Sequence, residues 1–226
     1  MNTCQLFFCV RKYVLMVSCR ILEYMNKKRR AFIFYGISGS GKGTQAKLLI
    51  EYLKKHDPEH EVIYIETGAR IREFIEDNAG YTRDMVKDVL NHGGLLPEFV
   101  PVWLWSHLLV TRYTGKETLV IDGAARRPHE SPILEGALRF YGFDTTTVVL
   151  LETSRAWAKE RLQGRGRYDD DNDDIERRFS WYEKNTIPAA NYFRDKEGFT
   201  FLEVSGEKTI EEVHEEIIKK LGFEKE

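Results

Sequence analysis

Cysteine is missing from nearly the whole chain. The three that occur, Cys4, Cys9 and Cys19, all lie in the first 19 of 226 residues. The remainder can form no disulfide and no zinc–thiolate centre, a usage that suits a reducing compartment. Long apolar runs are missing as well. Leu6 to Val10 and Tyr13 to Val17 are apolar, but Arg11 and Lys12 split them, and neither approaches the length needed to cross a bilayer. A secretory leader would want a basic start, an unbroken apolar core and a small-residue cleavage site, and none is clean here. Charge of one sign is not in excess: 34 Lys and Arg against 36 Asp and Glu leave a net −2, which supplies no field to recruit nucleic acid. The six histidines fall singly, without metal-ligand spacing. There is no internal repeat and no low-complexity linker, and the densest charge run, Asp169 to Asp174, is short. Trp103, Trp105, Trp157 and Trp181 sit at spacings that suit helix packing better than a base-stacking platform. What is present, 42% hydrophobic and 31% charged residues, describes a soluble globular chain of one domain with insertions or an appended segment.

The organising stretch is Gly36-Ile37-Ser38-Gly39-Ser40-Gly41-Lys42-Gly43-Thr44. Before it stands the apolar run Ala31 to Tyr35; after it, Gln45 to Leu53 repeats its apolar positions at helical spacing. Strand, glycine-rich turn and helix are the context of a phosphate-binding loop. Glycines let successive backbone N–H groups turn inward around an anion, and the helix N-terminus adds partial positive charge. Lys42 adds a mobile full charge for the outer phosphates. The general pattern has Ser or Thr directly after the Lys; here Gly43 intervenes before Thr44.

Further strands are expected at Val62–Ile65, Thr118–Gly123, Thr147–Leu151 and Phe199–Val204. Helices are expected at about Ala69–Asp77 and Tyr81–Asn91, the latter stopped by His92-Gly93-Gly94. Another is expected to start at Leu95-Leu96-Pro97, with Trp103, Leu104, Leu108 and Leu109 as its apolar face. Near-continuous apolar strands separated by helices predict an α/β fold, a parallel sheet covered on both faces. Ligands of such sheets bind beyond the carboxyl ends of the strands. The glycine loop, Thr67, Asp122 and the segment after Leu151 all fall there.

The second strong signal is Arg161-Leu162-Gln163-Gly164-Arg165-Gly166-Arg167-Tyr168-Asp169-Asp170, followed by Arg177 and Arg178. Alone, such a run would read as a surface helix with solvated Arg–Asp pairs. Beside a phosphate loop, arginines arriving from several directions are what phosphoryl transfer needs, since the protein must neutralise charge and align donor with acceptor.

The Gly-Lys-Gly-Thr variant continued by Gln45, together with this arginine run, resembles the adenylate kinase (nucleoside monophosphate kinase) family, over roughly Arg30 to Leu221. The resemblance implies a three-layer P-loop kinase fold. It would have a five-stranded parallel sheet, a helical acceptor-binding insertion at 67–96 and a very short lid at 164–169. In the lid, Arg161, Arg165, Arg167 and Arg178 would face the reacting phosphates, and Asp169-Asp170 match the acidic pair that follows. Gly39, Ser40, Gly41, Lys42, Gly43, Thr44 and Gly206 would hold ATP. Thr67, Gly68, Arg72, Leu96, Gly123, Arg126 and Glu130 would hold the monophosphate, with Gly93 beside them. Asp122 would orient magnesium-bound water. Three departures stand out: Ala124-Ala125 replace the family's Phe-Pro, Ala69 replaces the acid after Thr-Gly, and the lid is shorter than usual.

The activity so implied is reversible transfer from Mg2+-ATP to AMP, by a cytoplasmic monomer without nucleic-acid partners or stable membrane insertion. GMP, CMP or UMP as acceptor, or a nucleotide-binding regulator without catalysis, are the rivals. Lys42, Arg72, Arg126, Arg165 and Arg178 speak against the regulator, because binding alone does not require arginines on both substrates. At Glu130 the family's AMP users place Gln. A Gln amide pairs with adenine's N6 amino group and N1, whereas an ionised carboxylate only accepts and better suits guanine's adjacent N–H groups. The alternative is that Glu130 faces solvent on its helix and backbone near Gly93 and Leu96 reads adenine.

Residues 1–29 differ in composition from everything after them. A membrane-associating helix, an extra packed helix and sequence translated upstream of the true start all compete. Met25, just before Asn26-Lys27-Lys28-Arg29-Arg30, favours the third. A chain started at Met25 is therefore expected to keep its melting temperature and turnover. Insolubility would show a packed helix instead, and liposome binding confined to the longer chain would show a membrane segment.

Overall fold

In the computed structural model, residues 29–143, 145–165 and 172–223 are described, without the side chains of Arg165 and Asn172. The readings of residues 1–28, Gly166, Arg167 and Asp169-Asp170 lie outside these residues, as does the Arg165 side chain.

Five strands, β1 (Arg30–Gly36), β2 (Val62–Glu66), β3 (Thr118–Asp122), β4 (Thr145–Glu152) and β5 (Phe199–Ser205), form one sheet in the order β2-β3-β1-β4-β5. Every pairing is parallel. Side chains alternate across a strand, so β1 serves two cores at once. Ala31, Ile33 and Tyr35 enter one, Phe32 and Phe34 the other. The first core is closed by α4 (Phe99–Arg112), α5 (Glu130–Phe140) and α8 (Ile187–Asn191) through Trp105, Leu109, Leu134 and Ala190. The second is closed by α1 (Lys42–His56) and α9 (Ile210–Lys220) through Leu49, Leu53, Val213 and Ile217. The expected three-layer parallel α/β fold is the one that forms.

Two smaller clusters carry the parts that flank the site. Helices α2 (Thr67–Asp77) and α3 (Tyr81–Asn91) meet the start of α4 through Ile71, Val86, Leu96 and Val100. Helices α6 (Arg155–Arg165) and α7 (Asn172–Trp181) meet the glycine loop through Ile37, Ala158, Leu162, Ile175 and Phe179. The expected lid region thus begins as helix, since α6 runs through Gly164 to Arg165.

Two expectations need correction. Helix α4 begins at Phe99, not at Leu95–Pro97. Leu96 precedes a proline, which disfavours helical backbone there, and the first turn instead closes by Val100 N–H donating to the Pro97 carbonyl at 3.1 Å. Of its expected apolar face, Leu104, Leu108 and Leu109 pack inward, but Trp105, 1% exposed, takes the place expected for Trp103, which is 51% exposed. Trp103 lies against Phe74 and His107 instead. A helix apolar on nearly every side gives periodicity nothing to phase against.

Leu134 is fully enclosed between α5 and the sheet. Leu134→Ala is expected to cost about 2–5 kcal/mol in denaturant unfolding. A loss under about 1 kcal/mol would show that this layer is not close-packed.

Candidate active site beyond the strand ends

The direction of connection reverses between β1 and β3, and at such a point the two loops part and leave a crevice. On the β1 side stands the glycine loop. Gly39 and Gly41 both hold φ +89°, a left-handed conformation that side chains avoid. A Cβ on Gly39 would run into the Ala158 carbonyl. Gly41 immediately precedes α1 and offers no side-chain cap, so the first-turn N–H groups face the crevice. Lys42 folds over the loop, its Nζ 3.3 Å from the Ile37 carbonyl.

On the β3 side stands Asp122, in register with Phe34 of β1 and with Glu66 of β2. It is 6% exposed, and a Cβ on Gly43 would come within 3.2 Å of its Oδ2. Burial raises its carboxyl above the ordinary range; Lys42 and Arg126 pull it down and Glu66 pushes it up. The Tyr64 hydroxyl lies 3.4 Å from Glu66 Oε2 and 3.5 Å from Asp122 Oδ2. Burial, then those two carboxylates, raise its own pKa.

Both sides line one cavity of about 460 Å3. From the loop it takes Gly39, Gly41, Lys42, Gly43 and Thr44; from the insertion, Gly68 and Arg72; from beyond β3, Asp122, Gly123 and Arg126; from α6 and α7, Arg161 and Arg178. Burial lowers the Arg126 pKa, and Arg178 and Arg72 lower it further, while Asp122 and Glu130 oppose them. The cations therefore crowd one another. Arg72 is held by Glu66 at 3.2 Å, and Arg161 lies over the Trp157 ring at 5.6 Å.

A narrower recess of about 40 Å3 shares Gly68, Gly123 and Arg126 with that cavity and adds Thr67, Leu96 and Glu130. Glu130 is 1% exposed, so it does not face solvent on its helix. Ser40 and Gly206 line neither space. Both are buried, and a Cβ on Gly206 would come 3.2 Å from the Ser40 carbonyl, so Gly206 backs the loop.

Sequence reasoning missed Glu66, Tyr64, Trp181 and Arg127. Tyr64 and Glu66 alternate on β2, so a strand reading could have placed them on one face. Trp181 and Tyr182 enter the cavity where α7 passes into a π-helical turn, Tyr182–Thr186, and that carries no sequence signal. Arg127 holds the Leu95 carbonyl at 3.1 Å and covers the Trp181 ring at 5.5 Å, so it tethers the insertion to α7.

With this geometry in hand, comparison with known proteins is decisive. The sequence model described as adenylate kinase matches residues 34–198. Adenylate kinase 1 of Nostoc sp. is 30% identical over 190 residues, 84% of this chain and 97% of the relative. An adenylate kinase of Mycobacterium bovis is 30% identical over 193 residues, covering 84% and 98% respectively. One of Prochlorococcus marinus is 28% identical over 195 residues, covering 86% and 100%. The chain belongs to the adenylate kinase family. It is accordingly a nucleotide-binding phosphotransferase. The Ala124-Ala125 turn stands where the resemblance implies Phe-Pro. Ala125 holds φ +50°, which a proline ring forbids, and its carbonyl accepts the Tyr35 hydroxyl at 3.2 Å.

Because the folded Asp122 carboxyl is raised, the unfolded chain releases that proton at lower pH. The cost of its charge is absent below the unfolded pKa and complete above the folded one. Asp122→Asn is expected to raise the melting temperature at mildly alkaline pH, with the gain shrinking as pH falls through the folded pKa. An unchanged or lower melting temperature throughout would show that the carboxylate is already compensated.

Proposed function

We propose that the chain transfers the terminal phosphoryl group of Mg2+-ATP reversibly to a nucleoside monophosphate, with AMP as its principal acceptor. One observation carries the reading: Lys42 and the glycine loop share a single cavity with Arg72, Arg126, Arg161 and Arg178, which arrive from three other parts of the chain. A site for one phosphate chain would be served by the loop and its lysine. Cations on the far side require a second phosphorylated substrate, and the space between the two sets is where a phosphoryl group would pass.

In this reading the loop from Gly39 to Thr44 holds the donor phosphates and Lys42 follows the outermost. Arg72 and Arg126 hold the acceptor phosphate; Arg161 and Arg178, with Arg165 and Arg167, meet the charge that develops in transfer. Arg126 is aimed from both ends of its own backbone: its N–H donates to Glu130 Oε2 at 2.8 Å and its carbonyl accepts from Thr186 Oγ1 at 3.3 Å. Among the described residues no three His, Cys, Asp or Glu side chains gather to hold a metal directly. Asp122 and Glu66 nevertheless present hard carboxylate oxygens to the cavity, a donor type that suits a hydrated magnesium ion carried on phosphates. Magnesium would neutralise phosphate charge there. Thr67, Gly68 and Leu96 enclose the acceptor's base with Gly123 and Glu130.

The reading is of a cytoplasmic monomer, and the absence of a nucleic-acid partner in it accords with the net charge of −2. Among the described residues no helix is long and apolar enough to cross a membrane.

Lys42→Ala and Arg126→Ala should each lower turnover by two orders of magnitude or more, about 3 kcal/mol of lost charge stabilisation. ATP binding should suffer most in the first and monophosphate binding in the second, as read in a coupled assay with each substrate varied. Near-normal turnover in Lys42→Ala would overturn the reading.

A further inference from the structure

Two buried polar atoms in the narrower recess have no hydrogen-bond partner, Glu130 Oε1 and Thr67 Oγ1. Thr67 is 2% exposed and Glu130 even less. The rest of the lining around them is largely apolar, Ile71, Leu90, Leu95, Leu96 and Pro101 among it. A buried oxygen left without a partner is costly, so two of them in one apolar recess point to a ligand that satisfies both. Because Arg126 lines both spaces, a molecule whose phosphate meets Arg126 can put its base edge into the recess.

The two oxygens of Glu130 are not equivalent. Oε2 already accepts from the Arg126 N–H, so it stays the acceptor oxygen whether or not the carboxyl is protonated. Any proton therefore sits on Oε1, the buried oxygen that has no partner in the protein. Resting on the acceptor-site reading above, we propose that Glu130 Oε1 selects the acceptor's purine by its own protonation state. Ionised, it takes a 6-oxopurine edge, which presents ring N–H; protonated, it donates to the unprotonated ring nitrogen of a 6-aminopurine and stands in for an amide. Thr67 Oγ1 can donate or accept and so serves either edge.

The surroundings set the balance. Burial raises the Glu130 carboxyl; the Arg126 N–H and guanidinium lower it, Glu98, just before α4, raises it and Arg127 lowers it. Glu98 is itself paired with exposed His129 at 3.3 Å. The Tyr35 hydroxyl on β1 is pushed up by burial and by Glu130, and stays neutral.

The test is kcat/KM for AMP, GMP and IMP from about pH 6 to about pH 8.5, in the unaltered chain and in Glu130→Gln. Ionisation of the two phosphates is common to AMP and GMP, so it cancels in their ratio. In the unaltered chain the AMP-to-GMP ratio should fall as pH rises, through KM for the monophosphates. In Glu130→Gln it should be flat and about tenfold higher at the alkaline end. IMP, which carries the ring N–H without the 2-amino group, should follow GMP. A pH-independent ratio in the unaltered chain overturns the proposal, and that measurement decides the matter even if the variant does not fold. A ratio that Glu130→Gln leaves unchanged overturns it too. If no monophosphate is turned over at any pH, the acceptor-site reading itself falls, and this inference with it.

Discussion

The parallel pairing of β1 with β3 is the constraint on which the site depends. It sets Phe34 beside Asp122 and so fixes where the glycine loop leaves one strand and the acidic turn leaves the other. Both strands are buried on two faces, and a slip of one residue would turn Phe32 and Phe34 out of one core and Ile33 and Tyr35 out of the other. The register is therefore held by hydrophobic burial far larger than any force within the crevice. A loop, an aspartate and several arginines can then be set at fixed spacing without contributing to stability themselves.

They in fact detract from it. Burial, with Arg178 and Arg72 nearby, weakens the preference of Arg126 for charge, and Asp122 and Glu66 are neighbouring carboxylates at adjoining strand ends. The fold tolerates this by interleaving the signs, with Arg72 on Glu66 and Asp122 between Lys42 and Arg126. Such an arrangement is poised for a ligand of dense negative charge with a cation of its own. Charge held in place by the fold is the main way a protein assists phosphoryl transfer.

How much of this is legible in the sequence differs by kind of signal. The glycine loop, the strand acid Asp122 and the helices over 67–91 are local patterns, and each stands where its residues put it. The phase of α4 is not local: Trp103 and Trp105 are equally apolar, and only packing into the core on one face of the sheet selects the second. Glu66 is likewise unreadable as a site residue until β2 is known to pair with β3, which brings it beside Asp122. Gly206, expected from the family pattern to contact the nucleotide, is packed from behind: a Cβ there would meet Thr153 Cγ2 at 2.6 Å and the Ser40 carbonyl at 3.2 Å. Arg165 and Arg167 fall where the structure gives no side-chain description, and their part in the site rests on the family pattern.

The chain's departures at Ala124-Ala125 and at Glu130 are joined through one peptide unit. Ala125 takes a left-handed φ, which a proline there could not, and the Tyr35 hydroxyl donates to the Ala125 carbonyl. The next N–H, that of Arg126, is thereby directed at Glu130 Oε2. A carboxylate suits that N–H better than a neutral amide oxygen does, because a hydrogen bond to a charged acceptor is the stronger. The acid at position 130 thus serves the turn as well as the recess. With Phe and Pro gone from the turn, the backbone that aims Arg126 is held by a hydroxyl above and a carboxylate below. Whatever protonates that carboxylate then acts on the arginine's aim and on the recess together.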